Sequence, residues 1–488
     1  MTMNYSKILF IIGGILFSTV LLSQNAQDAL RYSSTNTAGS ARFMGLSGAM
    51  GSVGGDISTI NFNPAGLGIY KSSEYILAPR YLYNKAESSY GGYSSTDRRD
   101  NFNYGMAGLV SAMPLFSQHD PNPTGWKYMQ FGFSFNRIDN YRSDILIQGD
   151  SYGGSKVFEW RDQANGNLPN NLNLFSTNLA WETYLLDTVN GYPTNYNAAT
   201  PAGGVYQSYN SRTEGYKNEM SFAFSGNYND RLFIGASLSW SFLNYFSSVY
   251  LKETALENPA PGEFDNFTYI EELGTRGNGI NGKFGLIYII NPIIRISGAI
   301  HTPTWYYRMT DTYFSKVESQ MYDGQVYTKT SPSGRYEYNM NTPFKAMGGM
   351  SIFIQKMGFI SVDYIYQDYS QAYLKSNTDS FYEENENIKN DFTATHTMRV
   401  GTEWRLQPFF VRAGYAFTTS PVKEEINEIT QNQFSFGFGY RSGPFFMDAS
   451  FMQKYNAQNY YMYGANYVSP AYLETKTSFY SLSFGFKF

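Results

Sequence analysis

The chain has 488 residues, of which 18% are aromatic and only 16% charged, with a formal net charge of −4 and no cysteine. Disulfides and thiolate metal sites are therefore excluded, and an acidic balance without a basic stripe argues against a nucleic-acid partner. Mean hydropathy is −0.38, which speaks against a bundle of membrane-spanning helices; a transmembrane β-barrel, apolar towards lipid and polar towards its lumen, reconciles these facts.

The N-terminus carries Lys7 and then an apolar run from Ile8 to Leu22. That run is short for a membrane-crossing helix and fits the core of a signal peptide, so residues 1–23 are expected to be removed, with cleavage after Ser23. No Cys stands near the cleavage point, which excludes a lipoprotein anchor. Past Leu22 no apolar stretch approaches helix length, so any membrane span in the mature protein must be made of strands. Residues 24–70, rich in Gly, Ala, Ser and Thr, precede the first strand pattern.

From there strict alternation recurs. In Met129 to Asn136, Met220 to Tyr228, Leu232 to Phe242 and Phe434 to Arg441, one face is bulky and apolar while the other is Ser, Gly, Asn or a charge. So many bulky faces suit an exterior of lipid better than the core of a soluble sandwich. Compact turns at Asn229-Asp230, Asn291-Pro292, Lys356-Met357, Gln407-Pro408 and Ser442-Gly443 alternate with long polar stretches at 254–273, 315–332, 375–390, 421–429 and 459–473. Short turns on one side and long loops on the other form the outer-membrane pattern.

The alternation predicts an all-β, antiparallel transmembrane barrel over 71–488 with about fourteen strands. They are expected at 73–84, 100–115, 126–148, 213–228, 231–252, 274–290, 293–314, 333–355, 357–374, 391–406, 408–420, 430–442, 444–458 and 474–488. In the long insertion 149–212, Leu172, Phe175, Leu179 and Leu186 recur at roughly helical spacing, which predicts a helix around Asn171 to Val189 in an external loop. The last strand alternates Tyr480, Leu482, Phe484, Phe486 and Phe488 with Ser481, Ser483, Gly485 and Lys487. This resembles the C-terminal signal of bacterial barrels, which makes Phe484, Phe486 and Phe488 candidate assembly residues and the barrel assembly machinery an expected partner.

Within 24–70, Gly48-Ala49-Met50-Gly51 continues through Gly55-Asp56-Ile57-Ser58-Thr59 to Asn63-Pro64-Ala65-Gly66-Leu67. A small-residue segment ending this way resembles the hatch of the long-chain fatty acid transporter family of outer-membrane barrels. The resemblance implies a hatch inside the lumen, with Asn63, Pro64, Ala65 and Gly66 as the gating segment. It also implies passive uptake of small hydrophobic molecules and a lateral exit at a kink in the third strand, which would fall near Asn136 to Asn140. A monomer in the outer membrane of a Gram-negative bacterium is expected, touching outer-membrane lipid, lipopolysaccharide and a hydrophobic small-molecule ligand. The shuttle components of type IX secretion resemble the same family, so a barrel whose loops bind exported protein stays open as the alternative.

The remaining polar residues are weighed against this frame. Gly45, Gly48, Gly51 and Gly54-Gly55 do not match a dinucleotide fingerprint, and close backbone packing in a narrow lumen explains them. His119, His301 and His396 form no metal-spaced pair. His301 stands next to Pro303, which marks a bend, and is a candidate ligand contact. Asp363, Arg399, Glu403, Arg412, Arg441 and Asp448 fall on inward faces, where a salt-bridged network is expected; Arg399 and Arg412 are candidate contacts to a carboxylate head group. The acidic loops read as solvated surface. H-E-x-x-H does not occur, and Ser and Asn are too abundant for their co-occurrence to mark a nucleophile, so no enzyme and no cofactor is expected.

Overall fold

The computed structural model describes residues 26–115, 124–423, 427 and 429–488. The expected signal peptide lies outside the described residues. Residues 26–70 fold inside the barrel as α1 (Ala26–Ser33), α2 (Ala41–Met44) and two 3-10 helices, Ile57–Asn61 and Pro64–Ile69. They are followed by fourteen antiparallel staves. The first seven are β1 (Glu74–Tyr90), β2 (Tyr93–Pro114), β3 (Trp126–Asn140, resumed over Ser143–Ser151), β4 (Val205–Tyr228), β5 (Leu232–Ala255), β6 (Phe264–Ile289) and β7 (Ile294–His301, then Trp305–Met321). The rest are β8 (Val326–Thr330, Gly334–Asn341 and Lys345–Ile354), β9 (Gly358–Asp368), β10 (Ala394–Leu406), β11 (Phe409–Thr418), β12 (Thr430–Ser442), β13 (Phe445–Tyr460) and β14 (Ala471–Lys487). The last pairs with the first from Glu74↔Lys487 to Ser89↔Tyr472, so the sheet closes on itself.

Alternation in sequence becomes alternation in burial. Phe434, Phe436 and Phe438 point outward while Ser435 between them is fully buried. Ile234, Leu238 and Trp240 on β5, and Phe284 and Leu286 on β6, continue the exposed apolar belt. Among the described residues no helix is long and apolar enough to cross a membrane. Phe436→Arg should therefore place a charge in lipid and lower stability by about 2–4 kcal/mol near the bilayer midplane, read from a urea titration in lipid vesicles. A variant with the wild-type midpoint contradicts the register. Ser435→Arg is not a neutral control, because Ser435 Oγ sits 2.8 Å from Ser47 Oγ inside the barrel and a long side chain there displaces the N-terminal segment.

Several elements depart from expectation. The predicted spans leave residues 85–99 as a loop, but β1 and β2 continue to a two-residue turn at Gly91-Gly92, whose φ values are 53° and 83°. Beyond the lipid the outward face meets water while Ala86, Ser88 and Tyr90 turn in under the loops, so the apolar alternation fades from the sequence while the backbone ladder continues. The helix predicted around Asn171 to Val189 is shorter. Only Thr177–Glu182 is α-helical there, Tyr184 leaves it at φ 58°, and Leu186–Val189 pairs as a strand with Tyr192–Ala198. Leu172, Leu179 and Leu186 are nevertheless all buried, packing with Trp160, Val205, Phe264 and Phe267 in an apolar cluster under the external loops. The spacing therefore reported burial and not helix. Two further loop helices have no apolar period to announce them: Lys156–Ala164, capped by Ser155, and Tyr382–Asp391 in the acidic stretch 375–390.

Candidate ligand pocket and gate

The hatch is seated by backbone contacts. Pro64 begins its 3-10 helix at the first position, where the missing N–H is not needed. Asn63 caps that helix: its Oδ1 accepts from Ala65 N (3.2 Å), while its Nδ2 donates to Gly51 O (2.8 Å) and to Leu286 O of β6 (3.4 Å). Gly235 and Gly285 make room on the barrel wall, since a Cβ on either would collide with the Pro64–Ala65 backbone or the Asn63 side chain.

The inward charges hold the hatch from beneath. Glu403 accepts from Arg42 of α2 and from Arg412, both at 2.7 Å, and Asp448 accepts from Arg412 (2.8 Å) and Arg441 (3.1 Å). Burial works against the Arg42 guanidinium, but the Glu403 carboxylate beside it outweighs this and raises its pKa above the usual arginine range. Asp363 accepts from Gly51 N at 2.8 Å. The expectation that Arg412 contacts ligand is corrected here: its side chain is wholly buried between two carboxylates and does not line the pocket.

Between the hatch and the barrel wall lies a cavity of about 100 Å³ whose wall includes His301 and Arg399 together with Lys217, Glu219, Lys283 and Lys345. His301 Nε2 lies 2.7 Å from Phe62 O; a carbonyl only accepts, so Nε2 donates. Lys283 pairs with Glu219 at 3.0 Å. The other cations grip the descending hatch chain. Lys217 Nζ donates to Tyr32 O (2.8 Å) and Ser34 O (2.6 Å), Lys345 Nζ to Thr35 Oγ1 (2.8 Å), Lys454 Nζ to Asn36 Oδ1 (2.7 Å) and Arg399 Nη2 to Thr37 Oγ1 (3.2 Å). Higher still, α1 closes the lumen, with Tyr32 packed among Tyr245, Met309 and Tyr338. A cavity of this size has room for a few waters.

One part of the wall is not laddered. The β2–β3 hydrogen-bond ladder runs from Pro114↔Tyr128 only as far as Met106↔Asn136. Beyond that level β2 remains paired with β1 to Tyr90↔Tyr93, and the resumed half of β3 pairs only with β4, to Ser151↔Val205. A register shift between Arg137 and Asp139 bends β3 at this place. The outer half of β3 leans inward, where Asn84 Nδ2 of β1 donates to Ser143 Oγ (2.9 Å) and Ser88 Oγ to Leu146 O (2.5 Å). Across the break, side chains replace the ladder: Arg99 pairs with Asp144 (2.7 Å) and Glu214 (2.5 Å), and Arg137 Nη2 donates to Tyr104 OH (3.3 Å). Asn136, the last laddered residue, is also part of the pocket wall; Asn140 ends the first half of β3.

No family model matches the chain, and no curated protein matches it either. Solved structures do. A FadL homologue from Pseudomonas aeruginosa superposes with a TM-score of 0.55 at 12% identity, covering 93% of this chain and 99% of its own. The toluene transporter TodX of Pseudomonas putida gives 0.53 at 11%, over 93% and 99%, and the monoaromatic hydrocarbon channel CymD 0.51 at 11%, over 93% and 98%. The fold is that of the FadL-like outer-membrane barrels. The exposed apolar belt is what a lipid exterior requires of such a barrel. Phe484 and Phe488 lie outward on the closing strand, Phe488 bonded through its backbone to Ser73. Lys217, Lys283 and Lys345 were not among the expected site residues. Their signal is a lone cation at an inward position, as in Asn281-Gly282-Lys283-Phe284, where alternation already sends Lys283 to the lumen.

Proposed function

We propose that the barrel takes up an amphiphile with an apolar tail and an anionic head, such as a long-chain fatty acid, and releases it sideways into the bilayer. The observation that carries this reading is that the β2–β3 ladder ends at Asn136, a residue of the pocket wall. A closed barrel normally satisfies every backbone group between strands, so a break sealed by side chains is a place where the wall opens at low cost. The solved neighbours named as transporters or channels for apolar molecules support the same direction.

The cations supply the trigger. Lys217, Lys345 and Arg399 hold neutral carbonyl and hydroxyl oxygens of residues 32–37. A carboxylate is the stronger acceptor for such donors. An arriving head group displaces the hatch oxygens, frees the chain and enlarges the pocket; the gradient of cargo drives the rest without a nucleotide. Binding to the purified barrel should favour a long-chain fatty acid over the alcohol of equal length by about ten-fold, the gain expected from charge-assisted bonds. Equal affinity removes the head-group role. Uptake no greater than in cells lacking the barrel, for either compound, overturns the transport reading.

A further inference from the structure

The lipid-facing belt gives way to polar residues at one level around β5 to β8. On β5 the outward residues run Leu232, Ile234, Leu238, Trp240 and Phe242, then Asn244, with the aromatic Phe246 one step further; on β6 they run Tyr288, Leu286, Phe284 and Ile280, then Asn278 and Arg276. On β7 Trp305 and Tyr307 close the belt. From Leu232 to Phe242 the strand advances about 25 Å along the membrane normal, at ~3.3 Å per residue and ~40° tilt, which is the height of the apolar band. What lies directly outward therefore sits among lipid head groups.

There the exterior carries a groove of about 790 Å³ bearing Arg276, Arg308 and Arg335. Register brings them together. Arg276 faces Asn244 on β5 and Thr310 on β7, while Arg335 of β8 faces Thr312 on β7. Arg308 stands in a bulge between Tyr306 and Met309 with φ 53°, its N donating to Asn339 Oδ1 at 2.9 Å. That left-handed backbone is uncommon for a residue with a side chain, and it keeps Arg308 outward directly after the outward Tyr307. Gly274 leaves a hollow between Phe246 and Thr312. Among the described residues Arg276 and Arg308 have no carboxylate partner; Arg335 pairs with Glu337 at 2.9 Å, both mostly exposed. Glu272 lies two rows further from the membrane than Arg276, beyond Gly274.

We propose that this groove binds a phosphate of an outer-leaflet phosphorylated glycolipid, of the lipopolysaccharide type, with its acyl chains against Trp240, Ile280 and Trp305. Guanidinium forks match phosphate oxygens bidentately, and neighbouring strands only about 4.8 Å apart let arginines of β6, β7 and β8 converge on one head group. Uncompensated arginines just above the apolar belt are what such a lipid requires, and the transport reading is not needed for it. Native mass spectrometry of the full-length barrel in detergent, titrated with bisphosphorylated lipid A, its dephosphorylated form and phosphatidylglycerol, tests the site. Wild type should retain the phosphorylated glycolipid in preference to both others, and Arg276→Gln with Arg308→Gln should weaken it about ten-fold or more while heat-modifiability is unchanged. Equal binding of the dephosphorylated form or of phosphatidylglycerol by wild type overturns the proposal, whatever the variant does. So does undiminished binding by the folded double variant.

Discussion

Removing residues 26–68 should give a barrel that still assembles but leaks. All fourteen staves find their backbone partners in neighbouring staves, and the sheet closes through β1 and β14 without any hatch residue. The hatch contributes one side chain, Arg42, to the buried ion network; Arg412 keeps both Glu403 and Asp448 when it is gone. What disappears is everything filling the lumen between Tyr32 at the outer end and Tyr70 at the other. The expected result is near-normal heat-modifiable barrel in outer membranes, raised sensitivity to large antibiotics, and large steady conductance in planar bilayers. Loss of folded barrel would instead make the hatch part of the folding core, and an intact permeability barrier would mean that the external loops close the mouth unaided.

Much of this architecture was legible because a lipid exterior imposes a strict rule on every second residue. Leu232 to Phe242 and Phe434 to Arg441 could not be read otherwise, and short turns such as Asn229-Asp230, both at φ 53°, set the strand count. The rule ends where lipid ends. Residues 85–99 and 205–212 are strands with water or loops on both faces, so nothing periodic marks them. The site was legible only in part. Asn63-Pro64-Ala65 and His301 lie at the hatch and pocket, and Asn136 lies where the wall loses its ladder. Arg412 was misplaced because alternation gives the face of a residue but not its depth along the barrel: it lies under the hatch and Arg399 above. The lysine grip on residues 32–37 depends on the path of the hatch, which no local pattern encodes.

The central claim is that cargo leaves the pocket through the break between β2 and β3, and tethering that break tests it directly. Arg99 and Asp144 meet across it at 2.7 Å, where no backbone ladder joins the two strands. The chain contains no cysteine, so Arg99→Cys with Asp144→Cys introduces the sole thiols, and a short, reducible bis-thiosulfonate can join them. Neither substitution touches the ion network under the hatch. Uptake of labelled long-chain fatty acid should fall on cross-linking to the level of cells without the barrel and return on reduction. Each single-cysteine variant treated with the same reagent should keep its uptake. Undiminished uptake by the fully cross-linked barrel would contradict lateral exit and place the route along the barrel axis.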